Sequence, residues 1–213
     1  MASLKLLNTP SMVAISLIDL GILYFFAQGT EINAQPVLSF LSDWKLSGLA
    51  TIAATPVIVA LSLALPRQVK DALVYWRWPY AAPGYRAFSA HAQKDYRIDF
   101  NRLKETISEL QDQENLSPEI ENMIWYRLYK QCEKTPSVSQ AHKSWLLYRD
   151  LTTLTYLFFA TLVIVCIIFK PAVDWRPFLF IFGLELCIFS IAARNAGVQF
   201  VRNVLAVSSN SRM

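Results

Sequence analysis

The sequence predicts an all-α membrane protein. It is a four-transmembrane-helix bundle with a helical cytosolic insert between helices 2 and 3, and it assembles as a homo-oligomer. Three observations predict this. Apolar residues make up 54% of the 213 residues and charged residues 17%, where a soluble domain carries about 25% charged. Four apolar stretches each approach the roughly 20 residues needed to cross a bilayer core. The basic residues crowd between the second and third stretches.

The first stretch, Thr9–Gln28, carries one carboxylate, Asp19. Its length and that internal charge favour a retained helix over a cleaved leader. The second, Leu46–Leu65, and the third, Leu151–Phe169, carry no charge. The fourth, Trp175–Ala193, carries Glu185. A soluble core helix keeps a polar face at 3.6-residue spacing, and the second and third stretches offer no charged one. The expected organisation is therefore 1–66 for helices 1 and 2, 67–149 for the cytosolic domain, 150–195 for helices 3 and 4, and 196–213 for a cytosolic amphipathic tail.

Orientation follows from Lys and Arg placement. With the N-terminus inside, seventeen basic residues lie on the cytoplasmic side and three outside. Both termini are then cytoplasmic. Trp44 and Trp175 fall at the outer interface, and Trp76, Arg77, Trp78 and Trp145 at the inner one. Together they form an aromatic and basic belt of lipid anchors.

Within the insert, Asp99 is a candidate N-cap for a helix bearing Leu103, Ile107 and Leu110. Ser117-Pro118-Glu119 is a helix start: a cap residue, a first-turn proline and an acid near the positive helix end. Ile120, Ile124, Leu128 and Cys132 form the next apolar stripe. Thr135-Pro136-Ser137 interrupts it. A final helix from about Ser139 runs into span three. After span four, Arg194–Ala206 keeps helical spacing, along the inner leaflet or against the insert. Ala193 and Gly197 are spaced for close packing.

The search for chemistry returns little. Cys132, Cys166 and Cys187 show no CxxC spacing, and His91 and His142 form no HxxxH or HExxH pattern. This argues against a metal site or a disulfide framework. Gly84 is the insert's one glycine, so a glycine-rich phosphate cradle is absent. Neither a cofactor nor a catalytic residue is expected, and the chain is read as a non-enzyme. Arg86 and His91 fit a loose Arg-x4-His spacing, but His91 reads as a surface residue and His142 as a solvated or interfacial one. Between Arg67 and Asp150, thirteen basic side chains face eleven acidic ones, which is no electrostatic footprint for nucleic acid. Arg86, His91, Arg97, Trp125, Tyr126 and Arg127 are the candidate surface for a cytosolic protein partner or ligand.

Asp19 and Glu185 are the sharper signal. At 1.5 Å per residue each lies about 14–15 Å deep, near the middle of a roughly 30 Å core. Inserting each costs about 2.5–3.5 kcal/mol. The one Lys or Arg within the four stretches is Arg176, at the outer edge of the fourth and nine positions from Glu185. They are either protonated, sharing a proton with each other or with Ser16 or Tyr24, or facing water in a cavity or pore.

The segments Pro83–Ser89, Asp95–Asp99, Trp125–Lys130 and His142–Asp150 resemble uncharacterised bacterial four-span inner-membrane proteins. The overall layout is similar to membrane components of anti-phage defence systems. The first resemblance implies a bacterial inner-membrane location, and neither implies a catalytic residue. The expected function is a membrane assembly whose insert receives a partner or ligand and alters bundle packing. The alternatives are a cation channel or proton-linked carrier using Asp19 and Glu185, and a lipid-modifying enzyme using Arg86, His91 or Arg97.

Overall fold

The computed structural model describes residues 6–27, 57–111, 116–169 and 174–210, and among them every regular element is helical. The short turn Leu6–Asn8 leads into α1, Thr9–Ala27. Residues 57–64 are helical and end before Pro66. Next come α2 (Arg67–Tyr75), the tight turns Pro83–Arg86, Ala87–His91 and Ala92–Lys94, α3 (Phe100–Thr106) and α4 (Ser108–Gln111). Three longer helices follow: α5 (Pro118–Cys132), α6 (Pro136–Phe169) and α7 (Arg176–Asn210). Two helices, over Pro136–Ile168 and Arg176–Asn210, are long and apolar enough to cross a membrane. The stretch 46–56 of the second expected span lies outside the described residues, as does Trp44.

The start signals act as their chemistry requires. Asp99 Oδ1 accepts from the backbone N–H of Arg102 at 3.0 Å, capping α3. Ser117 Oγ accepts from Ile120 N at 3.5 Å, with Pro118 in the first turn of α5. Helical structure breaks at 133–135, next to the expected Thr135-Pro136-Ser137, and Pro136 itself opens α6. Its fixed φ and missing N–H suit a first helical position, so the helix begins three residues before the expected Ser139. At Ile107 the chain leaves helical geometry for an extended φ of −113°. A β-branched residue followed by Ser favours such a break. Leu103, Ile107 and Leu110 are nevertheless all buried, as their spacing demands.

The chain divides into two compact units, residues 1–70 with 147–191 and residues 71–146 with 192–213. In the first, Met12, Val13 and Phe26 of α1, Ile58, Leu154, Phe158 and Leu162 of α6, and Phe178 and Phe182 of α7 form one core. Phe26 and Phe178 meet edge-on at 5.0 Å. The opposite faces are equally apolar: Ile18, Leu20, Leu63, Ile164, Ile167, Phe180, Leu184 and Ile188 are exposed. Thr152 and Thr153 are buried, and their hydroxyls donate to the carbonyls of Tyr148 and Arg149 one turn back. This satisfies those polar groups within the helix.

In the second unit, the end of α7 packs against the insert. Phe200, 1% exposed, stacks on His142 at 4.6 Å and on Trp145 at 5.7 Å. It also meets Trp125 and Tyr129 edge-on at 5.2 and 5.3 Å. The segment Arg194–Ala206, expected along the inner leaflet or against the insert, thus packs against the insert. Buried Glu121 of α5 accepts from the backbone N–H of Phe88 and Ser89 at 2.8 and 3.0 Å, pairing amides at the start of Ala87–His91 that its own turn leaves unbonded.

Gly197 marks the closest approach. A Cβ there would sit 2.0 Å from the Tyr75 hydroxyl and 3.0 Å from the Trp145 ring. Gly197→Ala should therefore destabilise the second unit by about 1–3 kcal/mol through overpacking. Adding Tyr75→Phe, which removes the nearest atom, should recover part of the loss. Thermal unfolding of the three variants in detergent checks both expectations.

Candidate functional site

Asp19 of α1 is 2% exposed and lies beside Glu185 of α7, which is half-buried. Two carboxylates offer only acceptors, so a hydrogen bond between them needs one of the two to carry a proton. A proton held there would remove one charge from an apolar interior where an unpaired ion is costly. Ser16, one turn earlier on α1, is fully buried, and its hydroxyl has no hydrogen-bond partner among the described residues.

A second buried polar group was not singled out from the sequence. Lys70 Nζ of α2 lies 2.9 Å from Asp150 Oδ1 of α6, with side-chain exposures of 3% and 1%. The ammonium also donates to the Ser62 carbonyl. Arg149 Nη2 lies 3.4 Å from the same carboxylate oxygen. Asp150 directly precedes the uncharged run that starts at Leu151. An acid at that position, with a lysine just after Pro66, was the available signal. Their separation of eighty positions along the chain hid the pairing.

The segment 76–80 projects aromatic rings. Trp76 and Trp78 are 66% and 68% exposed, and Arg77 is exposed. Trp76 and Tyr80 sit at φ 53° and 61°, a left-handed conformation costing roughly 1–3 kcal/mol for each such residue. The Arg194 guanidinium stacks over the Trp76 ring at 4.3 Å, and its Nε donates to Val74 O at 2.6 Å. Cation–π stacking and a backbone bond thus hold Trp76 from one side. Trp175 is 41% exposed.

Two residues expected at the surface or the membrane interface belong to the core instead. Trp145, read as a lipid anchor, is 3% exposed and packed on Phe200 and His142. Trp125, read as part of a partner surface, is 4% exposed, stacked on Tyr129 and over Gly84. An apolar ring buried in this way contributes more by leaving water than by touching a partner. His142 is half-buried: its Nδ1 lies 3.1 Å from the Tyr129 hydroxyl and its ring lies flat on Phe200. Tyr126 is exposed, and exposed Arg127 bridges Glu109. Arg86 and Arg97 are exposed and His91 is half-buried.

Burial, then the positive charges of Arg202, Lys94, Arg86 and Arg77, push the His91 imidazole down to about 4. Arg97 grips Asp95 through Nε and Nη2 at 3.0 and 2.6 Å, holding that carboxyl at about 2. Among the described residues no group of three or more His, Cys, Asp or Glu is placed to hold a metal ion. Compared with known proteins, the chain matches no family model, no curated protein and no solved structure.

Two outcomes follow from this geometry. Asp150→Leu leaves the Lys70 ammonium buried without its carboxylate and should cost about 3–5 kcal/mol. Lys70→Met with Asp150→Leu should recover most of it, as thermal unfolding of the single and double variants will register. His91 binds its proton below about 4 when folded but near 6.5 when unfolded. The unfolded chain therefore binds more protons between these values, and stability falls as pH drops from about 6.5 to about 4. The pH dependence of Tm should flatten over this window in His91→Asn.

Proposed function

We propose that the chain is a non-enzymatic protein of the bacterial inner membrane. In this reading four helices span the bilayer, and residues 71–146 with 192–213 form a cytosolic receiving unit. A partner protein or ligand engages that unit and alters or anchors an oligomeric assembly of the spans. The setting is anti-phage defence, by the likeness of layout to membrane components of such systems. The output is membrane perturbation or docking of a cytosolic effector.

One observation carries the reading. Helices α6 and α7 each contribute residues to both units without a break. A helix is stiff along its axis, so a displacement at one end of such a rod is felt at the other. Three further features agree with it. The first unit is apolar inside and out, as surfaces in contact with lipid are. The exposed Trp76–Arg77–Trp78 segment suits the headgroup layer. The charge asymmetry of the sequence favours the cytoplasmic side for the receiving unit.

A second reading, proton-linked or cation conduction, draws on the Asp19–Glu185 pair. Asp19→Asn and Glu185→Gln separate the two. Loss of oligomer with no ion flux in wild-type liposomes marks the pair as interhelical glue, whereas loss of flux with the oligomer intact marks a conduction path. For the main reading, a reporter fused near residue 110 should report from the cytoplasm. Cysteine cross-links between α1 and α7 should change when the receiving unit is occupied. A periplasmic reporter signal overturns the topology, and an unchanged cross-link pattern on occupancy overturns the coupling.

A further inference from the structure

An open cleft of about 390 Å³ in the second unit is lined by Asp95, Arg97, Asn195, Val198, Gln199 and Arg202. Four of these come from α7 at i, i+3, i+4 and i+7, a single helix face. They set a guanidinium and two carboxamides on one wall. The other wall carries the second guanidinium, Arg97, and its carboxylate partner. Asp95 is engaged bidentately by Arg97, so its charge is largely spent there. The Arg202 Nε is buried and has no hydrogen-bond partner among the described residues.

The lining carries two guanidiniums against the one carboxylate of Asp95. Arg77, Arg86, Lys94 and Arg202 all raise the positive potential at His91, which is neutral at physiological pH and so adds no positive charge of its own. Asn195 and Gln199 are exposed, and their amide groups donate without adding charge. Forked guanidinium donors flanked by neutral ones suit a tetrahedral oxyanion, where two or more oxygens are met at once. The cleft's volume of about 390 Å³ leaves room beside the anion for an organic group.

We infer that this cleft binds an organic phosphate, with Arg202 and Arg97 on the phosphate oxygens and Asn195 and Gln199 as supporting donors. The phosphate belongs to a soluble phosphomonoester or to a phospholipid headgroup. Asn195 lies two residues beyond the apolar stretch that ends at Ala193, which brings the headgroup layer within reach. The inference names the ligand class for the receiving unit proposed above and rests on that reading only for its consequence, not for binding itself.

The experiment uses the full chain, first in an uncharged detergent with sn-glycerol 3-phosphate as the soluble probe. It is then repeated in nanodiscs of phosphatidylcholine with and without phosphatidic acid. Binding is read by calorimetry in the first arm and by the rise in Tm in both. Arg202→Gln should weaken binding roughly tenfold or more, the loss of one charge-assisted contact. Arg202→Lys should weaken it less, and Lys134→Gln, an exposed cation away from the cleft, should leave it unchanged. Matching thermal unfolding without ligand confirms that the variants fold. Binding in the detergent arm assigns a soluble ligand, and a response to phosphatidic acid alone assigns a lipid headgroup. No response in either arm, or equal weakening by Lys134→Gln, overturns the site. Binding without any change in the α1–α7 cross-links leaves the site standing and removes the coupling instead.

Discussion

The first unit is as apolar on its outer faces as in its core, and that constraint governs the rest. Water is a poor solvent for surfaces presenting Ile164, Ile167, Phe180 and Ile188 together, and contiguous patches of this kind mark contact with lipid or other chains. In hydrocarbon every backbone amide must find its partner within its own segment. The uninterrupted helices α1, α6 and α7 meet that demand. Hydroxyls on α6 that would otherwise be orphaned bond back to the preceding turn.

The same constraint explains where the charges sit. Among the described residues of the unit, two buried ionisable pairs stand out: Asp19 beside Glu185, and Lys70 facing Asp150. These arrangements differ in kind. The first is two acids, which attract one another only when one carries a proton. The second is an ion pair beside a carbonyl and an arginine, where attraction offsets desolvation. The second unit buries Glu121 against two backbone amides, and its core is a stack of rings around Phe200.

Local signals in the sequence translated well because their physics is local. A side-chain oxygen three residues before an amide caps a helix wherever it occurs, and Asp99 and Ser117 do so. The spacing of Ile124, Leu128 and Cys132 buries them on one face of α5. What failed was the environment of single aromatic residues. Trp76 and Trp145 both lie near the ends of apolar stretches, and composition cannot tell them apart. One is exposed and the other is enclosed by Phe200 and His142, a neighbour far along the chain. The Lys70–Asp150 pair was invisible for the same reason. The α7 face bearing Asn195, Gln199 and Arg202 was legible as polar, but the cleft needed Asp95 and Arg97 opposite it.

The bare backbone at Gly197 has an evolutionary consequence. Tyr75, Gly197 and Trp145 occupy one small volume among them, so the three positions cannot drift independently. A lineage that gains a side chain at 197 must shrink an aromatic neighbour in the same step, and natural variants of this chain should show those sites changing as a set.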